Sequence, residues 1–132
     1  MKRAIREVLG ERILQGPATL RHRTVTVTLG SPRRRKDGDW ECPFHITGVR
    51  VQYGYGVDSI QALTTALEGI RVTLERSGKQ LTWLGGDTGY TGFDRFVTTS
   101  FGAKFTAHLN RTIDKEIVKY VNRLKQSHQK RT

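Results

Sequence analysis

The sequence predicts an α+β fold: an antiparallel β-meander of three to four strands packed by one amphipathic helix, followed by a long C-terminal helix. Apolar and polar residues alternate in three successive stretches, which is typical of half-buried strands. Apolar residues then recur every three or four positions in two later stretches, which indicates helices with one apolar face. We divide the 132 residues into a core, 1–99, and a C-terminal amphipathic basic helix with its tail, 100–132.

The three alternating stretches are Thr24–Leu29, Trp40–Ile46 and Val49–Tyr55. Thr47-Gly48 predicts a two-residue hairpin turn that places the inward residues Ile46 and Val49 opposite each other. A shorter piece, Glu11–Gln15, is expected to add an edge strand. The residues predicted to face inward are Val25, Val27, Leu29, Trp40, Cys42, Phe44, Ile46, Val49, Val51, Tyr53 and Tyr55.

The first helix is expected to cover the apolar face of this sheet. Asp58 and Gln61 have the spacing of a capping box, and Gly78 lies where a glycine would end the helix. Leu81–Leu84 is expected to form a last short strand, and residues 85–92 a glycine-rich loop. The predicted apolar stripe of the helix is Ile60, Leu63, Leu67, Ile70 and Leu74.

The second helix is predicted from Phe101 to about Gln126 and has two different faces. Its apolar residues fall within roughly 80° of one another at 100° per residue, and we predict that they form a protein interface. A basic row recurs every four residues on the far side, with no acidic residue in that row. The apolar residues are Leu109, Ile113, Ile117, Tyr120 and Leu124, and the basic ones are Arg111, Lys115 and Lys119.

Positive charge is concentrated in two segments of the chain. Residues 1–39 carry a net charge of +6, residues 40–99 carry −1, and residues 100–132 carry +6. Such a distribution attracts anions such as nucleic acid, an anionic membrane surface or an acidic protein. The first segment contains a basic loop with four consecutive cations: Arg33, Arg34, Arg35 and Lys36. We name these four and the basic row of the second helix as candidate anion-binding or nucleic-acid-binding residues.

Three segments follow one another in an order that resembles a known family: WECPFHITG, YGVDSIQALTTALEGIRVTL and LTWLGG, with GFDRF after them. These are the elements WxCPxxIxG, GxDxxQALxxALxxIRxxL and TWLGG of a small family of bacterial domains of unknown function. The resemblance covers about residues 10–97. It implies a shared sheet-and-helix core and no particular chemistry. The C-terminal helix lies outside the region of resemblance.

Few residues have the spacing of a catalytic or metal site. Cys42 and His45 could suggest a thiol nucleophile and its base, but residues three apart in a strand point to opposite faces. The four histidines lack zinc-type spacing. The glycine-rich loop lacks the G-x-x-x-x-G-K-[ST] order of a phosphate loop. We therefore predict no metal, no cofactor and no catalytic residue. An enzyme using the region from Trp83 to Arg95 remains the least favoured alternative.

The function predicted from the sequence is a non-catalytic interaction module that associates through its C-terminal helix, either with a second copy or with another protein. The alternative is nucleic-acid binding through the basic loop 33–36 and the basic face of the C-terminal helix. No apolar run reaches the ~20 residues of a membrane span. A single cysteine excludes an internal disulfide, so we expect a reducing, cytoplasmic location.

Overall fold

The structure is a computed structural model that describes residues 5–17, 19, 23–95 and 101–130. The chain divides into two compact units, Met1–Phe96 and Val97–Thr132. The boundary expected from the sequence, between 99 and 100, falls outside the described residues. The first unit contains an antiparallel sheet and a helix, and the second contains one long helix. The predicted α+β fold class is therefore confirmed.

The sheet has five strands, which are β1 (Val8–Gln15), β2 (Thr24–Gly30), β3 (Arg33–Arg34), β4 (Trp40–Ile46) and β5 (Gln52–Gly56). Strand β1 pairs with β2, and β4 pairs with β2, β3 and β5, always antiparallel. The short β3 was not predicted, because two arginines in a basic run have no alternating pattern. Instead of a further strand, the segment Leu81–Leu84 contributes one isolated bridge, between Thr82 and Gln15.

Helix α1 (Ser59–Arg76) packs against the sheet and starts and ends as predicted. The Asp58 carboxylate accepts a hydrogen bond from the Gln61 backbone N–H at 2.7 Å. The Gln61 side chain in turn accepts one from the Val57 N–H at 2.8 Å. Beyond the end of the helix, Gly78 has a left-handed φ of 65°. These contacts satisfy backbone groups that a helix end leaves unpaired.

The buried face of α1 is rotated from the predicted stripe. Ile60 was expected in the core, but 75% of its surface is exposed. Ala62 and Ala66 allow the helix backbone to approach the sheet closely. Ala62 therefore takes the buried place that was predicted for Ile60. The buried residues of the helix are Ala62, Ala66, Ile70 and Leu74, with Leu63 and Leu67 partly buried beside them.

The prediction that Tyr53 and Tyr55 face inward is wrong. The turn at Thr47-Gly48 forms as expected, with the Val49 N–H bonded to the Ile46 carbonyl at 2.9 Å. One extra residue then shifts the ladder, so that Cys42 pairs with Gly54 instead of Tyr53. A shift of one residue moves every side chain of the strand to the opposite face.

Close packing of α1 explains this register. A Cβ atom at Gly54 would overlap the Ala66 backbone nitrogen and lie 2.7 Å from the Ala62 carbonyl oxygen. A Cβ at Gly56 would lie 2.7 Å from the Cβ of Gln61. At these two positions of β5, which face the helix, only glycine fits. The tyrosines consequently occupy the side of the sheet opposite α1, which we call the outer face.

Helix α2 (Ala103–Lys130) has 28 residues and extends beyond the predicted end. Among its described side chains, only Thr106 and Leu109 are partly buried, and all the others are exposed. Thr106 donates a hydrogen bond to the Gly102 carbonyl at 3.2 Å, close to the start of the helix. The predicted second helix is confirmed.

Candidate interaction surfaces

The structure divides the predicted basic cluster between the two faces of the sheet. Arg33 and Arg34 lie in β3 and therefore point to opposite faces. Lys36 is exposed in the turn after β3, where the Arg35 N–H donates to the Asp39 carbonyl at 2.7 Å. The four cations therefore do not form one continuous patch.

Two of these arginines are already paired with acidic residues. Arg33 Nε donates to Glu41 Oε1 at 2.7 Å, and this hydrogen bond raises the pKa of Arg33 above its ordinary value. Arg35 Nη2 lies 3.5 Å from Asp37 Oδ2, with both side chains substantially exposed. Because exposed pairs of this kind contribute little, an anion could displace Asp37 at small cost. Arg33, with its better geometry, is the more firmly held of the two.

Aromatic rings accompany the two arginines on the outer face. The rings of Tyr53 and Tyr55 are stacked, with centroids 6.2 Å apart and planes inclined at 25°. The Arg33 guanidinium carbon lies 5.7 Å from the Tyr53 centroid, and that of Arg35 lies 5.1 Å from the Tyr55 centroid. Half of the Tyr55 surface is exposed, at 50%. We call these four residues the Arg–Tyr surface.

The sequence contained a signal for this surface. In the segment Tyr53-Gly54-Tyr55-Gly56, the glycines alternate with the tyrosines, and glycine inside a strand marks a close backbone approach. The sequence also predicts a helix on one face of the sheet. If the two glycines face that helix, both tyrosines must lie on the other face, next to the basic loop.

The predicted protein interface on α2 lies along one side of the helix. We call Leu109, Ile113, Ile117, Tyr120 and Leu124 the apolar face of α2. Leu109 is partly buried, whereas the other four are exposed, Ile117 to 56%. Phe105, Val118 and Val121 add further exposed apolar surface on the same helix. A solvent-exposed row of large apolar side chains is characteristic of an interaction site.

The basic row of α2, formed by Arg111, Lys115 and Lys119, is exposed throughout. Lys119 Nζ lies 3.5 Å from Glu116 Oε1, one helical turn away. Although the row itself contains no acidic residue, one of its lysines therefore contacts a neighbouring carboxylate. Both side chains are largely exposed, which makes the pair weak. The basic row belongs to the second compact unit and the Arg–Tyr surface to the first.

Cys42 is a core residue. Its side chain is fully buried, and Sγ donates to the Gly30 carbonyl at 3.2 Å. Burial raises the pKa of Cys42 to about 11, so the reactive thiolate is disfavoured near neutral pH. His45 points to the opposite face, as the strand spacing requires. The described residues contain no group of three or more His, Cys, Asp or Glu side chains arranged to hold a metal ion.

The glycine-rich loop is held against β1 by an arginine. The Arg12 guanidinium carbon lies 3.9 Å from the Trp83 ring centroid and 4.6 Å from that of Phe93. Arg12 Nη1 also donates to the Gly92 carbonyl at 2.8 Å. Trp83, Gly92 and Phe93 therefore contribute to holding the loop in place, and these contacts need no ligand to explain them.

A cleft of about 380 Å³ lies between the C-terminal end of α1 and this loop. Its most prominent cation, Arg71, is hydrogen-bonded to Glu68 and Glu75, and these bonds raise the pKa of Arg71. An anionic ligand would have to displace both carboxylates.

Comparison with known proteins identifies the family of the core. No curated protein and no solved structure matches the chain. Neither α1 nor α2, the helices of the described residues, has the length and hydrophobicity that a membrane span requires. The family described as "Domain of unknown function (DUF6968)" matches residues 10–95, which include the sheet except for the first two residues of β1, together with α1 and the Arg–Tyr surface, and exclude α2. The chain therefore belongs to the DUF6968 family.

Proposed function

We propose that the protein is a non-catalytic interaction module and that it associates through the apolar face of α2. The observation that carries this proposal is the exposure of Ile113, Ile117, Tyr120 and Leu124 along one side of the helix. Burial of such side chains contributes roughly 1.5–3 kcal/mol each, so contact with a partner would stabilise the helix. The proposal includes a cytoplasmic location, which the buried free thiol of Cys42 supports.

Sedimentation equilibrium of the full chain tests this proposal. We expect the mass of the native protein to rise with concentration and the Ile117→Asp variant to remain monomeric. Asn122→Asp is the matched control, because it changes the charge equally on the opposite side of the helix. A native protein that stays monomeric up to millimolar concentration and retains no partner would contradict the proposal. Circular dichroism verifies that each variant keeps its helices.

A second candidate function is nucleic-acid binding through the Arg–Tyr surface, with the basic row of α2 as an additional contact. The observation that favours it is the position of Tyr53 and Tyr55 beside Arg33 and Arg35 on the outer face. Aromatic rings can stack on unpaired bases while arginines contact phosphates. This combination favours single strands, in which the bases are accessible.

Fluorescence anisotropy with labelled single strands and duplexes tests the second candidate. Arg35→Ala is expected to reduce the slope of log affinity against log salt by about 0.7, and Tyr55→Ala to weaken binding by about 1–3 kcal/mol. Arg34→Ala is the control, since this neighbouring cation points to the opposite face. Equal effects of Arg34→Ala and Arg35→Ala would contradict the assigned surface. Absence of binding to DNA and RNA at low salt would exclude the function.

A further inference from the structure

We infer that the apolar face of α2 is covered by α2 of a second copy, antiparallel, with Ile117 of each helix opposite Tyr120 of the other. This inference rests on the proposed function and names its partner. The same arrangement places Ile113 of one helix opposite Leu124 of the other. The two copies would thus form a short antiparallel coiled coil.

The spacing of the apolar residues determines which positions of α2 form the seam, that is, the row of side chains that contacts the partner helix. Ile113, Ile117, Tyr120 and Leu124 follow one another at steps of four, three and four, the repeat of alternating d and a positions in a coiled coil. The next seam positions are Thr106 and Asn110 before them and Ser127 after them. The apolar seam is therefore short and is bounded by polar positions at both ends.

Only one antiparallel register brings together the four residues of the apolar face that lie in the seam. In such a pair, each a position lies opposite a d position, so the register can move only by whole heptads. Moving one heptad in one direction places Leu124 opposite Thr106. Moving one heptad in the other direction places Ile117 opposite Ser127. Both shifts leave large apolar side chains facing polar ones.

Charge complementarity selects the same register. Glu116 and Arg123 occupy the g positions beside the seam. In the proposed register, Glu116 of each copy lies next to Arg123 of the other, which forms two equivalent ion pairs. The shifted registers instead place Glu116 beside Glu116 or Arg123 beside Arg123. The present contact between Glu116 and Lys119 is long and exposed, so it can be exchanged at little cost.

The positive charge of α2 favours the antiparallel over the parallel orientation. A parallel pair would gain an Asn110–Asn110 contact but would place Glu116 beside Val121 and Arg123 beside His128, with no opposite charges paired. It would also bring together the C-terminal halves of both helices, which contain four cations and no acid: Lys119, Arg123, Lys125 and Lys130. The antiparallel pair instead sets these cations against the half that contains Asp114 and Glu116.

Disulfide trapping in the full chain tests the orientation, because native Cys42 is buried and does not compete. Tagged Ile113→Cys protein is mixed with untagged Leu124→Cys protein under mild oxidation. We expect mixed dimers and few Leu124→Cys homodimers. In the antiparallel register the two copies of position 124 lie roughly 16 Å apart along the axis, beyond the reach of a disulfide. Predominant Leu124→Cys homodimers would overturn the inference.

Charge reversal provides an independent readout. Glu116→Arg and Arg123→Glu are each expected to weaken self-association about tenfold, and the double variant to restore it. A double variant as weak as either single one would overturn the proposed register. These outcomes are distinguishable from failure of the proposed function. A monomeric native protein that still retains another protein, or a dimer with another cross-linking pattern, removes only the antiparallel pairing. A monomeric native protein that retains no partner removes both.

Discussion

At the scale of single residues, Gly54 decides which side chains reach the outer face. It allows the backbone of β5 to approach Ala62 and Ala66 of α1, and it thereby turns Tyr53 and Tyr55 away from the helix. The second candidate function depends on this reversal, since tyrosines buried under α1 could not contact a ligand. One residue without a side chain thus links core packing to surface chemistry.

Gly54→Ala is expected to lower the free energy of unfolding by about 1–3 kcal/mol or more, because the added methyl group overlaps backbone atoms that cannot move independently. Urea denaturation measures the change. Gly10→Ala is the control: a Cβ at that position of β1 meets nothing within 4 Å, and we expect a change below about 1 kcal/mol. Equal stabilities of the two variants would show that α1 does not lie so close to β5.

The buried thiol of Cys42 makes stability depend on pH. Its pKa is raised from 9.0 to about 11 in the folded protein, so the unfolded chain loses this proton first as the pH increases. The free energy of unfolding must therefore decrease as the pH rises from 9.0 to about 11, by roughly 1.4 kcal/mol per pH unit at most. We expect the stability of native protein to fall more steeply between these pH values than that of Cys42→Ala. Parallel curves from urea titrations would refute this assignment.

At the scale of elements, a feature set by neighbouring residues is easier to predict than one set by contacts between segments that lie far apart in the sequence. The cap formed by Asp58 and Gln61 lies within four residues of sequence, and it was predicted. The face occupied by Tyr53 was missed because it depends on a register shift and on contact with α1. The basic loop was located, but its division between two faces requires the pairing of β3 with β4, which no periodicity indicates.

The contact between β1 and the glycine-rich loop also joins segments that lie far apart in the sequence. We predict that Arg12 holds this loop in place. Arg12→Ala removes the contacts with Trp83 and Phe93 and the hydrogen bond to Gly92. Cation–π contacts of this kind contribute about 1–2 kcal/mol, so hydrogen exchange in residues 85–92 should accelerate by about tenfold. Arg76→Ala, at an exposed position of α1, should leave exchange in the loop unchanged. Similar exchange in both variants would show that Arg12 does not hold the loop.

At the scale of the whole molecule, net charge and apolar contact act in opposite directions. The chain carries +11, and α2 alone carries seven cations and two acids. Two copies therefore repel each other at long range, although the apolar face of α2 favours their contact. An anionic polymer would instead be attracted to the same charges and would release counterions on binding.

Salt should accordingly have opposite effects on the two proposed functions. Raising sodium chloride from about 10 mM to 0.3 M shortens the screening length from about 30 Å to below 10 Å, so repulsion between copies fades. We expect self-association to tighten by roughly threefold or more, while any nucleic-acid affinity falls steeply. Replacing Arg111, Lys115 and Lys119 together with glutamine should flatten the salt dependence of self-association, as measured by sedimentation. Self-association that weakens with salt would mean that the ion pairs between Glu116 and Arg123 outweigh the repulsion of the remaining charges.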